Sequence, residues 1–327
     1  GQNAPTSIEA RGLPRDRPAV NGHQQFQVLA DPGDRQGYAC PVTVLEVIRR
    51  STDYLAQKGV DSPRLQIELL LAHVLKLPRL QLYLNFERVL GEAELAAIRA
   101  LVRRRGQREP LQHLTGLVSF CGFEIAISPD ALIPRPETEV LAERAWTLLA
   151  NSPAAAPAAL DFGTGSGCLA IALARHCPGA RITALDISEP ALRLARENAE
   201  GQEVADRIEW LRSDGFDAVR PDLHFDIIVA NPPYIPSAEI DSLAPEVRDH
   251  DPRPALDGGP DGLDVIRQLA GRAAAHLDPS GHLLLEFGDG QANAVSTLFA
   301  RYGWTVESVE TDLSGRQRIF VARPPGR

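Results

Sequence analysis

Ala159-Leu160-Asp161-Phe162-Gly163-Thr164-Gly165-Ser166-Gly167 reads as a short apolar strand that breaks into a glycine turn, and the apolar run from Cys168 onwards opens a helix. The same unit recurs downstream. Strands are predicted at residues 181–187, 207–212, 225–230 and 281–287, with helices between them, one of them near 263–276. Alternation of this kind implies βαβ units and a mostly parallel sheet, an α/β fold. Two further strands at 305–309 and 317–322 are close enough in sequence to form an antiparallel hairpin at the end of that sheet.

Working back from the first strand, residues 151–159 are a low-complexity surface connection, and a helix is predicted from near Glu137. Ile133-Pro134-Arg135-Pro136 marks a turn before it, and a β-hairpin is predicted around 120–127. Further upstream the period is helical. Val44, Val47, Ile48, Tyr54 and Leu55 recur on one face; Ser62-Pro63 caps a second helix with Leu65, Leu69 and Ala72 as its stripe. A third runs from about Glu92 to Arg105, with Leu95, Ile98 and Leu101 inward and Arg103, Arg104 and Arg105 opposing the negative end of the helix. Residues 1–40 carry no apolar period and read as a disordered extension. The predicted division is therefore 1–40 extension, 41–118 helical domain, 119–136 hairpin linker and 137–327 α/β domain.

The composition is globular: 327 residues, 44% hydrophobic and 24% charged, with a net charge of −9. Residues 41–120 carry 12 basic and 8 acidic side chains, whereas residues 121–327 carry 18 and 31. A larger domain so acidic does not suit stable nucleic-acid binding, which is dominated by phosphate neutralisation. No apolar run approaches membrane length and no secretory leader is evident, so a soluble cytoplasmic protein with no membrane partner is expected. Cys40, Cys121, Cys168 and Cys177 lack metal-ligand spacing; free thiols and no metal are expected. Nothing suggests a coiled coil, and a monomer is expected.

Ligands of open α/β sheets bind beyond the carboxyl ends of the strands, so the residues that end strands are the candidates. Asp161 and Gly163, Thr164, Gly165, Ser166 and Gly167 end the first. Their G-x-G-x-G spacing is not the dinucleotide G-x-G-x-x-G, and the acid before it favours a cation over a phosphate. Asp186 ends the second strand, where a carboxylate can accept from both hydroxyls of a ribose. Asp214, Gly215 and Phe216 follow the third, with Asp214 suited to an exocyclic amine and Phe216 to a purine face. Asn231-Pro232-Pro233-Tyr234 ends the fourth. Its two prolines remove two N–H donors, leaving carbonyl groups and the Asn231 carboxamide as acceptors for an amino group, with Tyr234 to cover a planar one.

Together these motifs resemble those of class I S-adenosylmethionine-dependent methyltransferases, and Asn-Pro-Pro-Tyr narrows the resemblance to enzymes acting on planar amide or amino nitrogens. Ile133-Pro134-Arg135-Pro136-Glu137-Thr138-Glu139, Glu109-Pro110-Leu111-Gln112-His113-Leu114-Thr115-Gly116, Asp257-Gly258-Gly259-Pro260-Asp261-Gly262-Leu263 and Leu285-Glu286-Phe287-Gly288 resemble the HemK/PrmC family of release factor N5-glutamine methyltransferases over residues 41–323. The resemblance implies a Rossmann-like seven-stranded sheet, a helical domain that recognises class 1 peptide-chain release factors, and methylation of the glutamine of their Gly-Gly-Gln motif. It also implies roles. Asp161, Gly163 to Gly167, Asp186, Asp214 to Phe216 and Asn231 would bind S-adenosylmethionine, and Asn231, Pro232, Pro233 and Tyr234 the glutamine amide, with Asn231, Pro232 and Tyr234 catalytic. His113 stands where the family commonly has Tyr, and Gly215 where an aromatic is frequent. The same acceptor geometry would also suit a DNA or RNA amino-methyltransferase acting on a flipped base.

Overall fold

The computed structural model describes residues 41–326; the predicted disordered extension, residues 1–40, lies outside them. Nine strands are present among the described residues. Leu117–Phe120 (β1) and Phe123–Ala126 (β2) form an antiparallel hairpin, beginning three residues earlier than the sequence suggests. The other seven form one sheet: Ala158–Phe162 (β3), Arg181–Asp186 (β4), Ile208–Arg212 (β5), Phe225–Ala230 (β6), Leu277–Glu286 (β7), Thr305–Thr311 (β8) and Gln317–Arg323 (β9). Their order is β5-β4-β3-β6-β7-β9-β8, parallel from β5 to β7 and antiparallel at β9 and β8.

The chain moves outward one way from β3 to β4 and β5, then returns to β6 on the other side of β3. At such a reversal the connections leave on opposite faces, and a crevice opens above the strand ends. Central strands bury both faces, which is why Phe225–Ala230 is nearly continuously apolar rather than alternating. One layer of side chains packs Leu141, Ala145, Leu169, Leu173 and Ile182 on one face; Phe162, Phe216, Ile266, Phe299 and Phe320 fill the other.

Helices Val44–Gln57, Pro63–Leu75 and Glu92–Gly106 surround a separate core of Val47, Leu55, Ile67, Leu71, Ile98 and Val102. The expected first cap is present, with Thr43 Oγ1 accepting from the Glu46 amide. Ser62, in contrast, is left-handed and makes no side-chain cap.

Arg103, Arg104 and Arg105 stand in the last turn of the third helix, as expected, and two of them also form ion pairs. Arg104 pairs with Glu109, but Arg105 is buried and reaches out of the helical domain. Its guanidinium donates to Gln66 and to Glu246 of the short helix Pro245–Arg248, and Arg108 donates to both oxygens of the same carboxylate at 2.7 Å. These arginines clasp the helical domain to the α/β domain. Among the described residues, no helix is long and apolar enough to cross a membrane.

Candidate active site

A cavity of about 390 Å³ occupies the crevice at the ends of β3, β4, β5 and β6. Residues of all four strand-end motifs line it, together with Asp130, Ala131, Leu132, Pro134 and Thr138 and with Pro252, Pro254, Ala255 and Asp257.

The floor begins with the glycine loop. The amides of Gly163 and Thr164 both donate to the Leu185 carbonyl, tying the loop to β4. Asp161, read from the sequence as a direct attractor of a cation, does not line the cavity. It is fully buried, and its Oδ2 accepts from the Thr164 hydroxyl at 2.6 Å and from the Ala170 amide. Burial pushes its carboxyl up to about 7, against the lowering effect of those two bonds. Asp161 therefore braces the loop and the helix that follows. Gly167 also lies off the cavity, packed so closely on Ala195 that a Cβ would stand 3.0 Å from the Ala195 Cβ; Gly163, Thr164, Gly165 and Ser166 line it.

Asp186 lines the cavity. Its two oxygens each accept one backbone amide, from Gly165 at 2.8 Å and from Ser188 at 2.9 Å. Burial raises its carboxyl and these amides oppose the rise. The remaining lone pairs are available to hydroxyl donors, and Ile187, exposed next to them, offers an apolar face that the sequence reading did not single out.

At the end of β5, Asp214 and Gly215 line the cavity, but Phe216 does not. Phe216 is buried beneath it, stacked on His276 at 5.1 Å and tilted against Phe162 at 5.0 Å. The purine-packing role expected for it is thus a core-packing role. Gly215 accounts for the missing aromatic: its φ is +55°, and a Cβ there would lie 2.2 Å from Gln268 Nε2, which occupies that part of the wall.

Asn231, Pro232 and Pro233 also line the cavity. The Asn231 carboxamide donates from Nδ2 to Thr138 Oγ1 at 3.0 Å, and that hydroxyl donates to Glu286 Oε2 at 2.7 Å. Tyr234 turns away from the cavity and donates its phenol to Glu286 Oε1 at 3.1 Å, so it is not the lid over a planar group that the sequence suggests. Burial raises both the Tyr234 phenol and the Glu286 carboxyl.

The glycine-rich segment 257–263 folds back onto this motif. The Gly258 amide donates to the Ile235 carbonyl, and the Ile235 amide donates to the Leu256 carbonyl. Gly262 is left-handed at φ +76°, and a Cβ there would stand 2.3 Å from the Tyr234 carbonyl oxygen. His113 lies outside the cavity, half-buried near His250, where burial and that neighbour lower its imidazole.

Two family models match the chain: the PrmC N-terminal domain over residues 46–116 and the methyltransferase small domain over residues 142–246. Among curated proteins, the release factor glutamine methyltransferase of Geobacter sulfurreducens is 44% identical over 281 residues, 86% of this chain and 96% of that protein. That of Rhodopirellula baltica is 40% identical over 283 residues, with the same shares covered. That of Chlorobaculum tepidum is 44% identical over 263 residues, 78% of this chain and 89% of that protein.

Proposed function

This chain belongs to the release factor glutamine methyltransferase family, and from that premise we propose that it transfers a methyl group from S-adenosylmethionine to the side-chain amide nitrogen, N5, of the glutamine in the Gly-Gly-Gln motif of class 1 release factors. The observation that carries the reading is that Asn231 and Pro232, a carboxamide followed by a residue with no N–H, line the same cavity as the glycine loop and Asp186.

The cavity suits the donor. Its volume lies within the usual range for small-ligand sites, Asp186 has unused lone pairs for a ribose diol, and Asp214 faces the same space. When bound, the sulfonium supplies an electrophilic methyl group. The chain's own task is to present the nitrogen. An amide nitrogen is a weak nucleophile because its lone pair is delocalised into the carbonyl. The Asn231 carboxamide oxygen and the Pro232 carbonyl would each accept one of its hydrogens, aiming the lone pair along the line of transfer. As the nitrogen becomes positive those hydrogen bonds strengthen, which is transition-state stabilisation by fixed dipoles. No general base is needed, because the methylated nitrogen then loses its proton readily to water.

The helical domain, residues 41–118, recognises the release factor in this reading. Leu80 and Leu84 expose apolar surface there, with the half-exposed Tyr83 beside them. The protein acts as a cytoplasmic monomer without stable nucleic-acid or membrane contacts. Asn231→Ala tests the core of the proposal: methyl transfer falls by roughly 100-fold or more while the circular dichroism spectrum stays unchanged. Turnover near wild type would remove Asn231 from its assigned role.

A further inference from the structure

The motif that presents the nitrogen is gripped at both ends by one buried carboxylate. Glu286, at the end of β7, accepts from the Tyr234 phenol directly and from the Thr138 hydroxyl, which in turn meets the Asn231 carboxamide. Thr138 and Glu286 are both 1% exposed, and 148 residues separate them in the chain. Resting on the functional reading above, we propose that Thr138, oriented by Glu286, is a positioning residue that fixes the Asn231 carboxamide with its oxygen towards the cavity.

Glu286 Oε2 accepts from the Thr138 hydroxyl and Oε1 from the Tyr234 phenol, so each hydroxyl hydrogen is committed to that carboxyl group. Thr138 has one hydrogen and donates it at 2.7 Å, which leaves its oxygen with lone pairs alone. The neighbouring carboxamide can then approach at 3.0 Å only with its N–H group. Its oxygen must point the other way, to the space where an acceptor is required. Without this hydroxyl the carboxamide would lose the partner that tells its two ends apart. A flipped Asn231 would present N–H hydrogens to the substrate's own N–H hydrogens and would repel the group it has to hold. Thr138 stands in the cavity wall beside Asn231 and acts through its carboxamide.

Thr138→Val keeps the shape and removes the oxygen; Thr138→Ser keeps the oxygen. Three quantities are measured on the full chain: S-adenosylmethionine affinity by calorimetry, kcat and KM with an unmethylated release factor, and hydrogen exchange of the Asn231 side-chain amide by NMR. The expected result for Thr138→Val is a loss of kcat approaching 100-fold, unchanged S-adenosylmethionine affinity and release-factor KM, and faster exchange of the Asn231 amide. Thr138→Ser restores both kcat and protection. Wild-type kcat in Thr138→Val, or a Thr138→Ser loss as large as that of Thr138→Val, overturns the proposal. So does unaltered exchange. A wild-type protein that methylates no release factor refutes the functional reading instead, and the exchange comparison then decides the positioning role by itself.

Discussion

Replacing Glu246 by Gln should uncouple the two domains, and the structure gives the size of the effect. Glu246 accepts from Arg105 at 2.8 Å and from Arg108 at 2.7 Å through both Nε and Nη2. The Arg105 side chain is 4% exposed and that of Glu246 18%, so water screens the pair poorly. Burial alone would raise the Glu246 carboxyl, but the hydrogen bonds from Arg108 and Arg105 more than reverse this and hold it at about 2, against an ordinary 4.5. At about 1.4 kcal/mol per tenfold change in proton affinity, the clasp contributes at most about 3 kcal/mol near neutral pH, reduced where water reaches the partly exposed Arg108. Because the folded carboxyl binds its proton more weakly than the unfolded one, this contribution is complete above about pH 4.5 and is lost as the pH falls from there towards 2. Urea unfolding at pH 7 should therefore show Glu246→Gln destabilised by about 2–3 kcal/mol, with the gap narrowing by roughly 1 kcal/mol by about pH 3.5. A double-mutant cycle with Arg108→Ala should recover a coupling of about 1–3 kcal/mol. A variant within about 0.5 kcal/mol of wild type at pH 7, or a gap indifferent to pH, would refute the reasoning.

Three other outcomes are expected. Gly262→Ala sets a Cβ against the Tyr234 carbonyl at a left-handed position, so methyl transfer should collapse while calorimetry finds S-adenosylmethionine binding retained. Phe216→Leu should cost about 1 kcal/mol in thermal unfolding with donor affinity unchanged, because Phe216 packs on His276 rather than on a ligand; weakened binding without lost stability would restore the purine contact. Asp186→Asn should weaken S-adenosylmethionine binding by about 10- to 100-fold, the worth of charge-assisted hydrogen bonds to a ribose diol, again read by calorimetry.

The strand-end residues were legible because the parallel sheet is local in its signals. Each apolar run stops at a polar or glycine residue, and topology alone brings Gly163, Asp186, Asp214 and Asn231 to one crevice. Direction was not legible. Asp161 and Phe216 sit one or two positions from cavity residues but face the interior, and no period extends through a turn to reveal that. β7 begins at Leu277 rather than near 281 because Asp278, Pro279 and Ser280 give no apolar signal, although Leu277 pairs with Phe225 before the register shifts. The Arg105–Glu246 and Thr138–Glu286 contacts span 141 and 148 residues and depend on how distant elements dock. Thr138 and Glu286 lie in motifs that resemble those of the family, but a motif does not disclose that two of its residues touch.

Mass spectrometry on an unmethylated class 1 release factor, incubated with this protein and S-adenosylmethionine alongside duplex DNA, tests the central claim most directly. One added methyl on the glutamine of the Gly-Gly-Gln peptide, with the DNA unmodified, is the predicted result. A methyl on the DNA with the glutamine untouched, or on neither, would contradict it.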